Sequence, residues 1–174
     1  MATKRTLQTP VLDQEAPGLL RLVLEQGGYA FVTMVGLGEG GDMGAAEAAR
    51  EMAWEQIQGG PREDDVVVPV WREAYSMACL RVAKIWVDRG EAGEAMRVVD
   101  MGLIMGGGGV LRGEMEMAAE TVGEMVRNER EKGSLVVEEG GRVSELHFNG
   151  VNDEEFFDDV YQMVTRKQLE KIAD

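Results

Sequence analysis

From Val70 to Gly107 the apolar side chains recur at steps of three and four. Trp71, Tyr75, Ala78, Cys79, Val82, Ala83 and Trp86 share one face of a 3.6-residue helix in the first half. Ala95, Val98, Val99, Gly102, Leu103 and Met105 do so in the second. Gly90 between them suits a helix C-cap, because glycine takes the left-handed conformation without a Cβ clash. The stretch therefore predicts two antiparallel helices turning at Gly90, with the rest of the chain packed on them or trailing from them.

The flanking pattern predicts four more helices in the bundle and a fifth at the C-terminus. Thr9-Pro10 breaks the chain, Asp13 can cap, and Leu19, Leu20, Leu22, Val23 and Leu24 make a first helix that stops at Gly27-Gly28. A short helix follows from Tyr29 to Leu37, and Asp42 is placed to cap an alanine-rich helix from Gly44 to Gln58. GLGEGG resembles a phosphate loop only in its glycines; it lacks GxxxxGK[ST] and a leading strand, so it reads as a linker. Beyond the glycines at 106–109, Leu111, Met115, Ala118, Val122 and Met125 fall in register on a helix from Val110 to about Glu131, with Arg127, Arg130 and Lys132 against its negative end. SLVVEEGGRVSELHFNG holds two short β-prone runs around Gly140-Gly141, readable as a small hairpin or as a linker. Phe156, Phe157, Val160, Tyr161, Val164, Leu169 and Ile172 line one side of a final amphipathic helix.

The expected fold is all-α: about six helices in antiparallel hairpins, partly tetratricopeptide-like, with an irregular C-terminal segment and a terminal amphipathic helix. With Gly90 at the turn, Ala83, Trp86, Ala95, Val99 and Gly102 fall where that repeat wants small, aromatic, small, apolar and small residues. An ordinary helical hairpin fits them equally well. The expected division is a flexible leader over 1–12, a helical domain over 13–132, a linker or small β-hairpin over 133–151 and a C-terminal helix over 152–174.

Charge narrows the partners. A formal charge of -14 over 174 residues disfavours direct contact with nucleic-acid phosphates or an anionic membrane, and suits basic protein surfaces. No run is apolar and long enough to span a bilayer, and the N-terminus MATKRTLQTP has no hydrophobic signal core. One cysteine, Cys79, rules out an internal disulfide and points to a reducing compartment.

The same residues limit the chemistry. His147 is the one histidine, which excludes an iron site with two imidazoles or a zinc site rich in His and Cys. Cys79 lies inside a hydrophobic stripe and reads as a small buried apolar group, with no histidine near it in sequence. Asp100 sits at the tightest part of the hairpin, where it can accept from Arg72 or Arg97 or face water. The tryptophans and most of the 12 methionines sit at helical spacing and read as core, with a Met-rich groove for a partner helix as the alternative. No catalytic, cofactor or metal residue is assigned; the candidate partner-binding residues are Trp54, Trp71, Tyr75 and Met105.

Three segments, Met52-Ala-Trp-Glu-Gln-Ile-Gln-Gly59, Trp71-Arg-Glu-Ala-Tyr-Ser-Met-Ala-Cys-Leu80 and Asp100-Met-Gly-Leu-Ile-Met-Gly106, together resemble a known family. It is the N-terminal helical region of the Jumonji C oxygenase described both as a lysine-specific demethylase and as a protein arginyl hydroxylase, plant type. Thr9-Pro10, Gly27-Gly28-Tyr29-Ala30 and Ala45-Ala46-Glu47-Ala48-Ala49-Arg50 add to the likeness, which runs from about Thr9 to about Arg112. The resemblance implies that full-length relatives carry a C-terminal β-barrel holding Fe(II) and 2-oxoglutarate through His-x-Asp and a distant His, and act in nucleus and cytoplasm on histone or other protein substrates. It also implies a link to circadian regulation in plants. The barrel is not in this sequence, so no catalytic residue carries over, and a truncated copy, a splice form or an incomplete gene model is expected. The function expected is a noncatalytic interaction module for a protein partner or for the oxygenase domain of a relative. The alternative is a fragment of an Fe(II)/2-oxoglutarate-dependent demethylase or hydroxylase, active only with the missing domain.

Overall fold

The computed structural model describes residues 6–59 and 67–138. Six helices follow in order: α1 Pro10–Glu25, α2 Tyr29–Glu39, α3 Met43–Gly59, α4 Val67–Asp88, α5 Ala92–Met105 and α6 Arg112–Glu138. Among the described residues there is no strand. The second hairpin run, His147 and the C-terminal helix expected over 152–174 lie outside the described residues.

Local chemistry explains the turns. Gly90 has φ 83° and closes the α4–α5 hairpin, as its position between two apolar stripes predicts, and Gly27 with φ 82° ends α1 in the same way. Asp42 accepts from the Ala45 N–H at 3.0 Å and caps α3. α4 is the axis of the fold and packs against α1, α2, α3 and α5. Every residue from Ala74 to Ala83 is therefore buried, Ser76 and Arg81 included. A helix enclosed on every side has no free face.

Glycine lets α5 and its outgoing loop come this close. A Cβ on Gly102 would stand 3.0 Å from the Cys79 Cβ and overlap the Met115 Cε, and one on Gly106 would overlap the Ser76 Oγ. The segment DMGLIMG is thus a packing motif, with its two glycines one helical turn apart against α4.

Three expectations need correction. Residues 1–12 do not all form a loose leader: Leu7, Thr9 and Leu12 are buried, and α1 starts at Pro10. The cap comes from α6 and not from Asp13. Glu114 is only 2% exposed, and its two carboxylate oxygens accept the Val11 N–H at 2.8 Å and the Leu12 N–H at 2.6 Å. Finally, α6 does not stop near Glu131 but continues to Glu138, so the first β-prone run, Leu135-Val136-Val137, is helical. Propensity for strand is a weak preference that an already nucleated helix overrides.

Candidate interaction surfaces

Two polar side chains on α4 organise the approach from α5 to α6. The last turn of α5 leaves carbonyls without helical partners, and Arg72 donates from Nη1 to one of them, Met105 O, at 3.0 Å. The next residue, Glu73, accepts the Gly109 N–H at 3.0 Å and the Leu111 N–H at 3.2 Å. The carboxylate fills the hollow of the glycine loop: a Cβ on Gly107 would stand 2.7 Å from Glu73 Oε1, and one on Gly109 would overlap it. Asp100 makes none of the bonds expected of it; it is exposed, while Arg97 pairs with Glu94 at 3.4 Å.

The four candidate partner-binding residues divide. Trp71 and Tyr75 are 3% and 4% exposed, which corrects their reading as contact residues: both are core. Trp71 meets Phe31 edge-on with ring centroids 5.6 Å apart, and Tyr75 meets Trp54 at 5.9 Å. Trp54 and Met105 are partly buried against the core. Cys79 is fully buried, as the sequence implies. Burial pushes its thiol from 9.0 up to about 12, against the lowering pull of the Arg50 charge and the Tyr75 hydrogen bond, and burial likewise raises the Tyr75 hydroxyl. Neither group is a nucleophile at neutral pH. Among the described residues no group of three or more His, Cys, Asp and Glu could hold a metal, so these residues do not fit the Fe(II) that the resemblance implies for longer relatives.

Sequence reasoning missed two concave surfaces. The first, about 500 Å³, runs between α1, the start of α4 and the loop before α6. Leu19, Leu22, Pro69, Val70 and Val110 supply its apolar lining, together with the charged Glu15, Arg21 and Glu25, of which Arg21 and Glu25 pair at 3.3 Å. Leu22 is 46% and Val110 61% exposed, high for large apolar side chains. The signal was present in the sequence, since Leu19 and Leu22 belong to a first helix richer in leucine than one buried face needs. The second, about 670 Å³, lies between α1, α2 and α4 over Arg81. An arginine inside the apolar stripe of α4 was its only sign. No helix among the described residues is long and apolar enough to cross a membrane.

Comparison with known proteins bears on these surfaces. A family model described as KDM8-like, N-terminal ARM repeats, matches residues 9–135. The repeat named there is ARM, where the hairpin spacing suggested a partly tetratricopeptide-like unit; both are stacked helices over a shared core. The chain is 57% identical over 101 residues to lysine-specific demethylase JMJ30 of Arabidopsis thaliana, covering 58% of this chain and 23% of that protein. It therefore spans about a quarter of that relative's length. No solved structure matches the chain.

Proposed function

Because the chain belongs to the family of KDM8-like N-terminal ARM repeats, we propose that it is a protein-docking region that holds the remaining part of a demethylase of its family. The observation that carries this reading is the apolar groove of α1, α4 and the α5–α6 loop, where Leu22 and Val110 stay exposed. Stacked helical repeats commonly bind along such surfaces. A partner surface with an apolar centre and a basic group at one edge complements Glu15, while Glu25 is already paired with Arg21 at 3.3 Å. This groove takes the place of the surface around Trp54, Trp71, Tyr75 and Met105, whose two central members are buried.

The test titrates the portion of JMJ30 outside the matched region with the 174-residue chain, wild type or carrying Leu22→Glu and Val110→Glu together. The double variant is expected to bind at least tenfold more weakly with unchanged helical circular dichroism. Equal binding by both proteins, or none by either, would end the proposal.

The identity to a lysine-specific demethylase favours a second reading, in which this region works as part of an Fe(II)/2-oxoglutarate-dependent enzyme in the nucleus or cytoplasm. Among the described residues no group of three or more His, Cys, Asp and Glu could hold a metal, so the role this reading gives them is positioning. Incubating the chain with Fe(II), 2-oxoglutarate and a histone or arginine-bearing peptide, then following succinate, tests whether it turns over by itself. Turnover would overturn the docking reading.

A further inference from the structure

The cleft between α1, α2 and α4 has apolar walls, including Leu20, Val32, Val35 and Ile85, and a floor made by Arg81 and Lys84, one turn apart on α4, with the exposed Asp88 a further turn along at its rim. Arg81 is 5% exposed. Taking a guanidinium out of water is costly unless good hydrogen bonds replace its hydration. Here the replacement is incomplete. Its Nε–H has no acceptor among the described residues, and its Nη atoms stand 3.6 Å from Asp13 Oδ1 and 3.4 Å from Glu39 Oε1. Charge-assisted bonds close to about 2.7–2.9 Å, so both contacts are ion pairs without a hydrogen bond. The two carboxylates are 56% and 61% exposed and come from different helices, where solvent screens them. Lys84 is half-buried and has no ion-pair partner among the described residues.

A planar guanidinium fork is matched by one carboxylate held through both oxygens, not by two loose ones from opposite sides. The exposed Asp13, Glu39 and Asp88 lie nearer solvent than Arg81, so a guest passes three carboxylates at the mouth and meets cations at the floor. Asp13 and Glu39 are free to swing into water as it enters. A volume of about 670 Å³ accommodates a few side chains. We propose that this cleft binds an aspartate or glutamate side chain flanked by apolar residues, presented by a peptide segment of a partner protein. The site is separate from the groove at Leu22 and Val110, and it stands whether or not that groove docks a demethylase.

The probe is an end-blocked, dye-labelled peptide with the order leucine, glutamate, phenylalanine, aspartate, leucine, followed by fluorescence polarisation against the full chain. Its amide twin carries glutamine and asparagine. The acidic peptide is expected to bind at least tenfold more tightly than the amide twin. Lys84→Gln, at a half-buried position with no ion pair among the described residues, should weaken it at least threefold with unchanged helical circular dichroism, and Lys84→Arg should restore it. Glu39→Gln and Asp13→Asn should each tighten binding, because they remove the competing carboxylate, whereas Leu22→Glu should leave it unchanged. A purely structural Arg81 predicts no such tightening. Equal affinity for the two peptides, no binding up to 1 mM, tighter binding of a lysine-substituted peptide, or weaker binding by Glu39→Gln would each overturn the site.

Discussion

Replacing Glu114 by alanine tests how the two ends of the helical unit are joined. The first turn of any α-helix has N–H groups with no helical acceptor. In α1, Pro10 contributes none, the Asp13 N–H reaches Thr9 O at 3.0 Å, and the remaining two, on Val11 and Leu12, are both taken by Glu114. That carboxylate comes from the first turn of α6, more than 100 residues away, and is 2% exposed. A hydrogen bond to a charged group is worth about 1.5–3 kcal/mol, and removing one partner also leaves a buried donor unpaired. A negative charge at a helix N-terminus adds about 0.3–1 kcal/mol. Glu114→Ala should therefore cost about 3–5 kcal/mol, a large share of the roughly 5–15 kcal/mol that holds a domain together. Glu114→Gln keeps one accepting oxygen and turns its amide towards the other N–H, so it should fall between alanine and wild type. Glu116→Ala is the control: its pair with Arg112 at 2.9 Å is exposed on both sides and should be worth less than about 1 kcal/mol. Urea unfolding at 222 nm gives the energies, and amide hydrogen exchange at Val11 and Leu12 gives the location. A Glu114→Ala cost below about 1 kcal/mol with both amides still protected would refute this reasoning.

Three further outcomes are expected. Gly102→Ala places a methyl against Met115 and Cys79 and should cost about 1–3 kcal/mol in urea unfolding, far more than Gly113→Ala, where an added Cβ meets nothing within 4 Å. Trp71→Ala removes a buried ring from its contact with Phe31 and should cost about 3–5 kcal/mol, read as a fall in thermal midpoint together with any loss of binding. The thiol of Cys79 is raised from 9.0 to about 12, so the unfolded thiol ionises first; stability is intact below about pH 9 and drains as pH rises towards 12. The slope approaches about 1.4 kcal/mol per pH unit per group. Cys79→Ala should reduce it in urea midpoints at pH 8, 9.5 and 10.5, leaving above about pH 10 the part due to the raised Tyr75 hydroxyl, and an unchanged slope would assign the alkaline loss elsewhere.

The helices were legible because their signals are local. Three- and four-residue steps of Trp71, Tyr75, Cys79 and Val82, glycines at 27 and 90, and Asp42 before an alanine-rich run each act within a turn or two of chain. The family likeness carried by DMGLIMG was legible as well, although the reason for its glycines, contact with Cys79, Met115 and Ser76, was not. Trp71 and Tyr75 were misjudged as binding residues because a stripe marks which face is apolar without saying what covers it. α4 has neighbours on every side, and this encloses Trp71 and Tyr75.

By itself, then, the sequence determined the six helices of the described residues, a glycine-hinged central hairpin, a buried thiol and the family to which the chain belongs. Those properties rest on backbone preference and periodicity, which reach only a few residues. Only the tertiary structure decided that Glu114 holds α1, that Glu73 fills the glycine loop, that the apolar groove lies at Leu22 and Val110, and that Arg81 forms the floor of a cleft. Each depends on which helix stands beside which, across 36 to 103 positions of chain for the hydrogen bonds. Packing sets such neighbours, and no spacing along one element records them.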